Sequence, residues 1–227
     1  SNKLKIFIVT QIDPIYIISF FEEFFDILKK KNLDIDLEIF DMPNFNESKI
    51  KLSKRLLRFY GLKDFLKLLA IYIHEILVKK RLKNFKKLLG KEAIKYQNIK
   101  SINNNKFYEY LNKFRPDFLV SISAPEIFKD KILSISGIQY INLHCAPLPA
   151  YKGMMPNFWQ KLNNESYSAI TIHEISNKID GGEILYQKEI NLLQTDSLHK
   201  TIINSKKISA IALLEYLFKE QMNSRNL

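Results

Sequence analysis

The chain has 227 residues, which is enough for one hydrophobic core or for one core with a small annex. Hydrophobic residues make up 46% of it, which excludes a disordered protein, and only six glycines and seven prolines exclude collagen-like or linker-like segments. The formal net charge of +11 favours an anionic partner, such as a nucleotide, a polyanionic cofactor, nucleic acid or a membrane surface. Because lysine, isoleucine and asparagine are all abundant, a genome-wide composition bias explains the same excess equally well.

The single cysteine, Cys145, bears on both redox compartment and chemistry. One cysteine excludes an internal disulfide and a cysteine metal cluster, which suits a reducing cytoplasm. Its neighbour is His144, but adjacent strand residues point to opposite faces, so the two do not form a nucleophile–base pair. The first residues lead into a predicted strand rather than a secretory signal, and no apolar run is long enough to predict a membrane span. We therefore expect a cytoplasmic protein without a metal.

The first 40 residues predict a right-handed parallel βαβ unit. Residues 3–9 are apolar enough for a strand buried on both faces, residues 14–31 have apolar side chains at helical spacing, and residues 34–40 alternate as a second strand. This order favours an α/β fold. The loop at residues 10–14 contains no glycine, which excludes a P-loop and argues against a nicotinamide-dinucleotide site.

Residues 47–95 interrupt the alternation and predict a helical insertion. Asn46 is a candidate N-cap, Gly61 separates two helical runs, and the run at residues 62–82 is apolar at nearly helical spacing. The insertion either packs on the sheet or on a partner subunit, lies on a membrane surface through its basic end, or serves as a target helix for another protein. The same run is the candidate surface for a homodimer. His74 within it is interpreted as a packed or half-exposed helix residue.

The remainder of the chain returns to strands and helices. Predicted strands lie at residues 96–102, 117–122, 138–143, 169–173 and 183–190, and predicted helices at residues 104–114, after the turn 123–128, and at residues 195–222 with Thr195 as cap. The whole pattern predicts a single α/β domain with a Rossmann-like, mostly parallel sheet flanked by helices.

Residues 140–185 hold the densest group of turn residues and reactive side chains. Asn142 and His144 are two apart at the end of a predicted strand, so they point to the same side and together can surround a carbonyl oxygen that gains charge. Asp180 precedes two glycines that permit a sharp turn, and a carboxylate can orient a histidine, raise its pKa or receive a proton through water. From spacing alone, a capping asparagine, a core histidine and a turn aspartate remain an equally open interpretation.

Four motifs resemble the hallmark sequence of the formyltransferase family that uses 10-formyltetrahydrofolate. In order they are Asn-Leu-His at 142–144, Leu-Pro-Ala-Tyr-Lys-Gly at 148–153, Thr-Ile-His at 171–173 and Ile-Asp-Gly-Gly at 179–182. The family includes phosphoribosylglycinamide formyltransferase, the catalytic domain of methionyl-tRNA formyltransferase and the sugar N-formyltransferases. The resemblance implies that residues 1–227 form a single formyltransferase catalytic domain.

The catalytic trio of that family is an Asn, a His and an Asp, which fall here on Asn142, His144 and Asp180. The resemblance implies that an amine attacks the formyl carbon of 10-formyltetrahydrofolate, the co-substrate, while Asn142 and His144 stabilise the tetrahedral oxyanion. Asp180 is expected to position His144 and a water that shuttles protons. The pterin is expected to lie against two segments, whose residues are Ser123, Ala124, Pro125, Glu126, Ile127, Asn177, Lys178 and Ile179.

Departures from the family pattern bear on the acceptor. The glycinamide enzyme carries a Gly/Ser-rich phosphate loop after its first strand, which residues 10–14 do not match, although residues 180–190 do resemble that enzyme. The tRNA enzyme carries a β-rich C-terminal domain for its RNA, whereas only a strand and a helix are predicted after Asp180, so tRNA is not expected. The aromatic-bearing segment 156–159 resembles the sugar enzymes.

The sequence therefore predicts N-formyl transfer to a small phosphorylated or nucleotide-linked amine, with an amino sugar as first choice. Glycinamide ribotide is the second choice. A hydrolase that uses water as acceptor, and a catalytically silent folate- or nucleotide-binding module, are further alternatives.

Overall fold

Seven strands and seven helices form the architecture of a computed structural model, which describes residues 3–33, 35–42 and 49–225. The strands are β1 (Leu4–Thr10), β2 (Ile35–Asp41), β3 (Lys95–Asn98), β4 (Phe118–Ile122), β5 (Gln139–His144), β6 (Tyr167–Glu174) and β7 (Ile184–Asn191). The helices are α1 (Tyr16–Lys30), α2 (Lys49–Ile73), α3 (Arg81–Lys91), α4 (Asn105–Phe114), α5 (Asp130–Leu133), α6 (Pro156–Leu162) and α7 (Leu198–Arg225).

All seven strands lie in one sheet in the order β3-β2-β1-β4-β5-β6-β7. The first five in chain order pair in parallel, and β6 and β7 are antiparallel. The predicted α/β class with a mostly parallel sheet flanked by helices is confirmed. The carboxyl ends of β1, β4 and β5 meet at one edge of the sheet, which is where ligands collect in such folds.

Apolar side chains cover both faces of the sheet, as the continuous apolar runs predict. Ile6 and Ile8 pack on one face against α1, α3 and α7, and Phe7 and Val9 pack on the other face against α4 and α5. Alternate residues of β1 therefore enter opposite cores, since successive strand side chains point to opposite faces. The central strands are rigidly held from both sides.

Several observed boundaries differ from the predicted ones by a few residues. The first helix begins at Tyr16 rather than at residue 14, and the carboxylate of Asp13 accepts hydrogen bonds from the backbone N–H groups of residues 15, 16 and 17 ahead of and within its first turn. The last helix begins at Leu198 because Ser197, not Thr195, accepts from the backbone N–H of Lys200. The third strand ends at Asn98 rather than at residue 102, and the short helix after residue 128 begins only at Asp130. Asp34 and Asn46 lie outside the described residues.

Helices occupy the described part of the predicted insertion, from Lys49 to Lys91. Gly61 breaks α2 with φ 71° and ψ 168°, and a π-helical segment, His74–Val78, continues the second half. After it, α3 packs on the main core through Phe85 and Leu89, so it belongs to the sheet layer. Arg81 ties this junction to α1, because its guanidinium contacts Glu22 at 2.5 Å and the carbonyl of Ile15 at 2.9 Å. By contrast, no described apolar side chain of α2 or of the π-helical segment is fully buried.

Candidate active site

Asn142, His144 and Asp180 meet at the carboxyl edge of the sheet. Asn142 and His144 lie on the same side of β5, and Asp180 lies in the loop between β6 and β7. The Oδ1 atom of Asp180 is 3.4 Å from Nδ2 of Asn142, and its Oδ2 atom is 3.5 Å from Nδ1 of His144. The structure thus brings together the three side chains that the sequence singled out.

The backbone around Asp180 differs from the glycine turn that the sequence predicts. The left-handed conformation falls on Asp180 itself, with φ 44°, and not on the glycines that follow. Gly182 is required for a different reason: a Cβ atom there would lie 1.9 Å from the carbonyl oxygen of Glu174 at the end of β6. Close approach of the loop to β6 aims the carboxylate inward, where the backbone N–H of Gly153 donates to Oδ2 at 2.7 Å.

His173 is a fourth member of the cluster that sequence reasoning left without a role. It faces Asn142 across the antiparallel pairing of β5 and β6. Its Nδ1 atom is 2.8 Å from the carbonyl oxygen of Glu174, so Nδ1 carries the hydrogen. In the neutral ring, Nε2 then accepts from Nδ2 of Asn142 at 3.0 Å. A polar residue that ends the apolar run of β6 was the available signal, but its partner depends on strand register.

His144 is a buried, neutral base. Its Nε2 atom is 2.7 Å from the carbonyl oxygen of Tyr151 and therefore donates to it. In the neutral ring this leaves Nδ1 unprotonated and facing Asp180. Burial lowers the pKa of His144 below its ordinary value, and this outweighs the nearby Asp180 carboxylate and the Tyr151 carbonyl, which both raise it. The lone pair on Nδ1 is thus available for a proton at neutral pH.

Asp180 is held as a carboxylate. Burial raises its pKa, but the neighbouring imidazoles of His173 and His144 and the hydrogen bond from the N–H of Gly153 together lower it by more, so the net pKa lies below the ordinary value. A proton that reaches His144 therefore meets a negative charge 3.5 Å away. The pair can accept a proton from a nucleophile and hold it.

A cleft of about 760 Å³ opens above these residues, a size that suits a small-molecule site. One side of it is formed by the residues predicted to contact a pterin, namely Ser123, Ala124, Pro125, Glu126, Ile127, Lys178 and Ile179. Asn177 lies in the same loop but does not line the cleft. Ile127, Ile179 and Met154 leave much of their apolar surface exposed there, which suits a flat heteroaromatic ring.

Polar residues from other elements also line the cleft, and they are called its polar side below; one of them belongs to the insertion. Gln11, Asp13 and Tyr16 from the β1–α1 connection line it together with Tyr60, which immediately precedes the break in α2. Lys206 of α7 also lines the cleft, and its ammonium donates to the hydroxyl of Ser123 at 2.8 Å. The lining of the cleft therefore combines apolar residues, this polar side and the cluster around Asp180.

Two kinds of feature, a metal-binding cluster and a membrane-spanning helix, are not found in the part of the chain that the structure describes. No group of three or more His, Cys, Asp or Glu side chains in these ranges is placed to hold a metal ion. Among the same residues, no helix has the length and apolarity needed to cross a bilayer.

Comparison with known proteins identifies the class. The sequence profile of the family described as formyl transferase matches residues 78–216, which is more than half of the chain. The chain belongs to the formyl transferase family, and the resemblance inferred from its motifs is confirmed. The match begins at Val78, the last residue of the π-helical segment, and includes all four residues of the cluster.

Three curated relatives carry different names. The bifunctional polymyxin resistance protein ArnA of Wigglesworthia glossinidia brevipalpis is 34% identical over 127 residues, which are 55% of this chain and 19% of that protein. Methionyl-tRNA formyltransferase of Thermotoga maritima is 32% identical over 149 residues, 62% of this chain and 48% of that protein. GDP-perosamine N-formyltransferase of Brucella melitensis is 32% identical over 95 residues, 42% of this chain and 37% of that protein. The chain thus spans less than half the length of these relatives.

Solved structures share the fold. Phosphoribosylglycinamide formyltransferase from Bacillus halodurans superposes with a TM-score of 0.63 over 98% of each chain, at 14% sequence identity. At this identity the superposition shows a common architecture and leaves the acceptor to be inferred from the site.

Proposed function

We propose that this protein transfers a formyl group from 10-formyltetrahydrofolate to the amine of a small acceptor, and that the acceptor is a nucleotide-linked amino sugar. The observation that carries the transfer chemistry is the convergence of Asn142, His144 and Asp180 at the base of one cleft. Amide donor, neutral imidazole and carboxylate are the groups that an acyl transfer to an amine needs. The family supports the same donor.

Each member of the cluster has a distinct task in this proposal. The folate, when bound, supplies an activated formyl carbon for attack by the acceptor amine. Asn142 donates an N–H to the formyl oxygen as negative charge develops there. For this bond its Nδ2 gives up the contact with Asp180, which at 3.4 Å is longer than the 3.0 Å contact with His173. His173 holds the same amide from the other side. The fixed donor costs little reorganisation when the charge appears.

His144 and Asp180 manage the proton. The attacking nitrogen must lose a proton, and the lone pair on Nδ1 of His144 accepts it directly or through one water. Asp180 stabilises the resulting imidazolium from 3.5 Å. The imidazolium then stabilises the oxyanion and returns the proton to the departing nitrogen, so that proton and charge balance over the cycle. Asp180 also positions His144 throughout.

The polar side of the cleft supports an amino sugar over a ribotide. A phosphate acceptor group is expected at a glycine-rich first loop, where helix N–H groups are open to an anion. Here the N–H groups of residues 15, 16 and 17 already bond to the carboxylate of Asp13. At about 4 Å, two like charges near a protein surface repel by about 4 kcal/mol. Asp13 and the tyrosine hydroxyls instead suit sugar hydroxyls, and Lys178 and Lys206 are cations available to a phosphate elsewhere in the cleft.

An acceptor panel tests the proposal. The protein is incubated with 10-formyltetrahydrofolate and, separately, nucleotide-linked 3-amino and 4-amino sugars, glycinamide ribotide, initiator methionyl-tRNA or no amine. Mass spectrometry is expected to find an N-formyl sugar, and Asp180→Asn is expected to abolish it. Product only with the ribotide or only with the tRNA contradicts the sugar assignment. Formate release without an amine identifies a hydrolase, and no turnover despite folate binding contradicts the enzyme.

A further inference from the structure

Helix α2 carries an exposed apolar stripe that the formyl-transfer site does not use. Its members are Leu62, Leu66, Leu69, Ile73 and Leu77, the last in the π-helical segment. They follow one another at intervals of three or four residues, so they share one side of the helix. Between 42% and 67% of each side chain is exposed, whereas Phe65 and Leu68 on another side are half-buried. Isolated exposed leucines are ordinary, but a continuous row marks an interaction surface.

The same segment concentrates the positive charge of the protein. Residues 50–80 contain eight Lys and Arg residues against two acidic residues, and so account for six of the eleven net positive charges. One of the acids, Glu75, is buried and paired with Lys79 at 2.8 Å and with Arg81 at 3.5 Å. The other, Asp64, lies 3.3 Å from Lys67. Within residues 62–77 the charges balance, so the net positive charge lies at the two ends of the stripe, at residues 51–58 and 79–80.

We propose that α2 docks on an anionic lipid bilayer, with the apolar stripe at the boundary between headgroups and acyl chains. A helix that presents leucines on one side and flanking lysines lies in the plane of such a surface, where anionic lipids attract the lysines. Charge complementarity favours this occupant over a second copy of the chain, because pairing two copies through α2 brings two cationic surfaces together. The apolar stripe favours a bilayer over nucleic acid, because nucleic acid would leave the leucines in water.

The docking surface is distinct from the catalytic cluster but adjoins the cleft. Tyr60 ends the first half of α2 and lines the polar side of the cleft, and the stripe begins just after it at Leu62. A docked helix therefore places that side of the cleft close to the bilayer. The proposal does not depend on formyl transfer, so its test reads binding and not turnover.

Vesicle flotation with the full chain tests the proposal. One set of vesicles contains phosphatidylcholine alone, and the other contains equal parts of phosphatidylcholine and phosphatidylglycerol. The protein is expected to float with the anionic vesicles at low salt and to be released as salt rises, because a shorter Debye length screens the lysines. Absence of flotation with the anionic vesicles overturns the proposal.

Paired variants separate the two contributions. Lys63→Gln with Lys67→Gln is expected to lower partitioning onto anionic vesicles by about 30-fold, since each basic residue near such a surface contributes about fivefold. Leu66→Asn with Leu69→Asn is expected to abolish flotation without unfolding, because both side chains are exposed. The matched controls are Lys91→Gln with Lys100→Gln, and Leu193→Asn, all at exposed positions outside α2. Equal losses in variants and controls overturn the proposal.

A dye at the stripe reports the contact itself. Cys145 is buried, so an environment-sensitive thiol dye can be directed to Leu69→Cys, with Lys100→Cys as control. Anionic vesicles are expected to shift the emission to the blue at position 69 only. If sedimentation velocity instead shows a dimer that Leu66→Asn with Leu69→Asn dissolves, the occupant is a second copy. Saturable RNA binding lost with the lysines identifies nucleic acid; either result overturns the lipid assignment.

Discussion

Replacing Asp180 by asparagine removes one charge from the cluster while keeping its shape. The amide can still accept the hydrogen bond that Gly153 donates at 2.7 Å, so the loop is expected to stay in place. What is lost is the attraction between the carboxylate and a protonated His144, whose Nδ1 is 3.5 Å away. With an effective dielectric constant of about 20, such a pair is worth about 5 kcal/mol. Both side chains are almost completely buried, so solvent screening is small.

Asp180→Asn is expected to lose most of this stabilisation. A loss of about 4 kcal/mol slows the proton-transfer step by about a thousandfold. The assay is steady-state formyl transfer with the acceptor found in the panel, together with calorimetric binding of 5-formyltetrahydrofolate as a measure of the folate side of the cleft. We expect kcat to fall by about a thousandfold and folate binding to change little, whereas Asp64→Asn on the exposed face of α2 leaves both unchanged. A variant Asp180→Asn that retains more than a tenth of kcat refutes the proposed role.

The same variant has a second readout in the titration of His144. Asp180 raises the pKa of His144 against the larger effect of burial. Removing the carboxylate is therefore expected to move the pKa of His144 further down, which NMR of the imidazole protons can follow. An unchanged or higher pKa means that the two side chains do not interact as the geometry implies.

The remaining predictions concern the surroundings of the cluster. Gly182→Ala is expected to destabilise the Asp180 loop and abolish formyl transfer, because the new Cβ would lie 1.9 Å from the carbonyl oxygen of Glu174. The control is Gly90→Ala in α3, where a Cβ meets nothing within 4 Å and the unfolding temperature is expected to rise slightly. His173→Phe removes the acceptor that holds the Asn142 amide and is expected to lower kcat about 10- to 100-fold. His173→Gln, which keeps an acceptor, is expected to recover part of the activity. If both variants are as active as the wild type, His173 does not position Asn142. Asp13→Ala is expected to lower the free energy of unfolding by about 1 kcal/mol, measured by urea unfolding, and Asp13→Asn by much less. Equal losses in the two variants would show that Asp13 does not stabilise the protein by capping α1. The free energy of unfolding is expected to fall as pH drops through the ordinary histidine range, since the unfolded chain binds a proton that buried His144 resists. It is expected to fall again as pH drops through the depressed pKa of Asp180. Thermal unfolding scans across pH check both falls, and a flat profile contradicts them.

Local sequence was sufficient for the parts of this protein that depend on short-range periodicity. Alternating and continuous apolar runs predicted the strands, and the two-residue spacing of Asn142 and His144 placed both side chains on the same side of β5. The motifs around them identified the family, because their order and spacing are specific. These features are determined within a few residues of one another along the chain.

Tertiary structure decided which groups meet, because those contacts join residues far apart in sequence. Asp180 reaches Asn142 across 38 positions through the close approach of Gly182 to β6, and the glycines alone predicted the wrong turn geometry. His173 acquires a role only through the antiparallel register that sets it opposite Asn142. The exposed stripe on α2 also follows from packing, since periodicity identifies an apolar side of a helix but not whether the fold covers it.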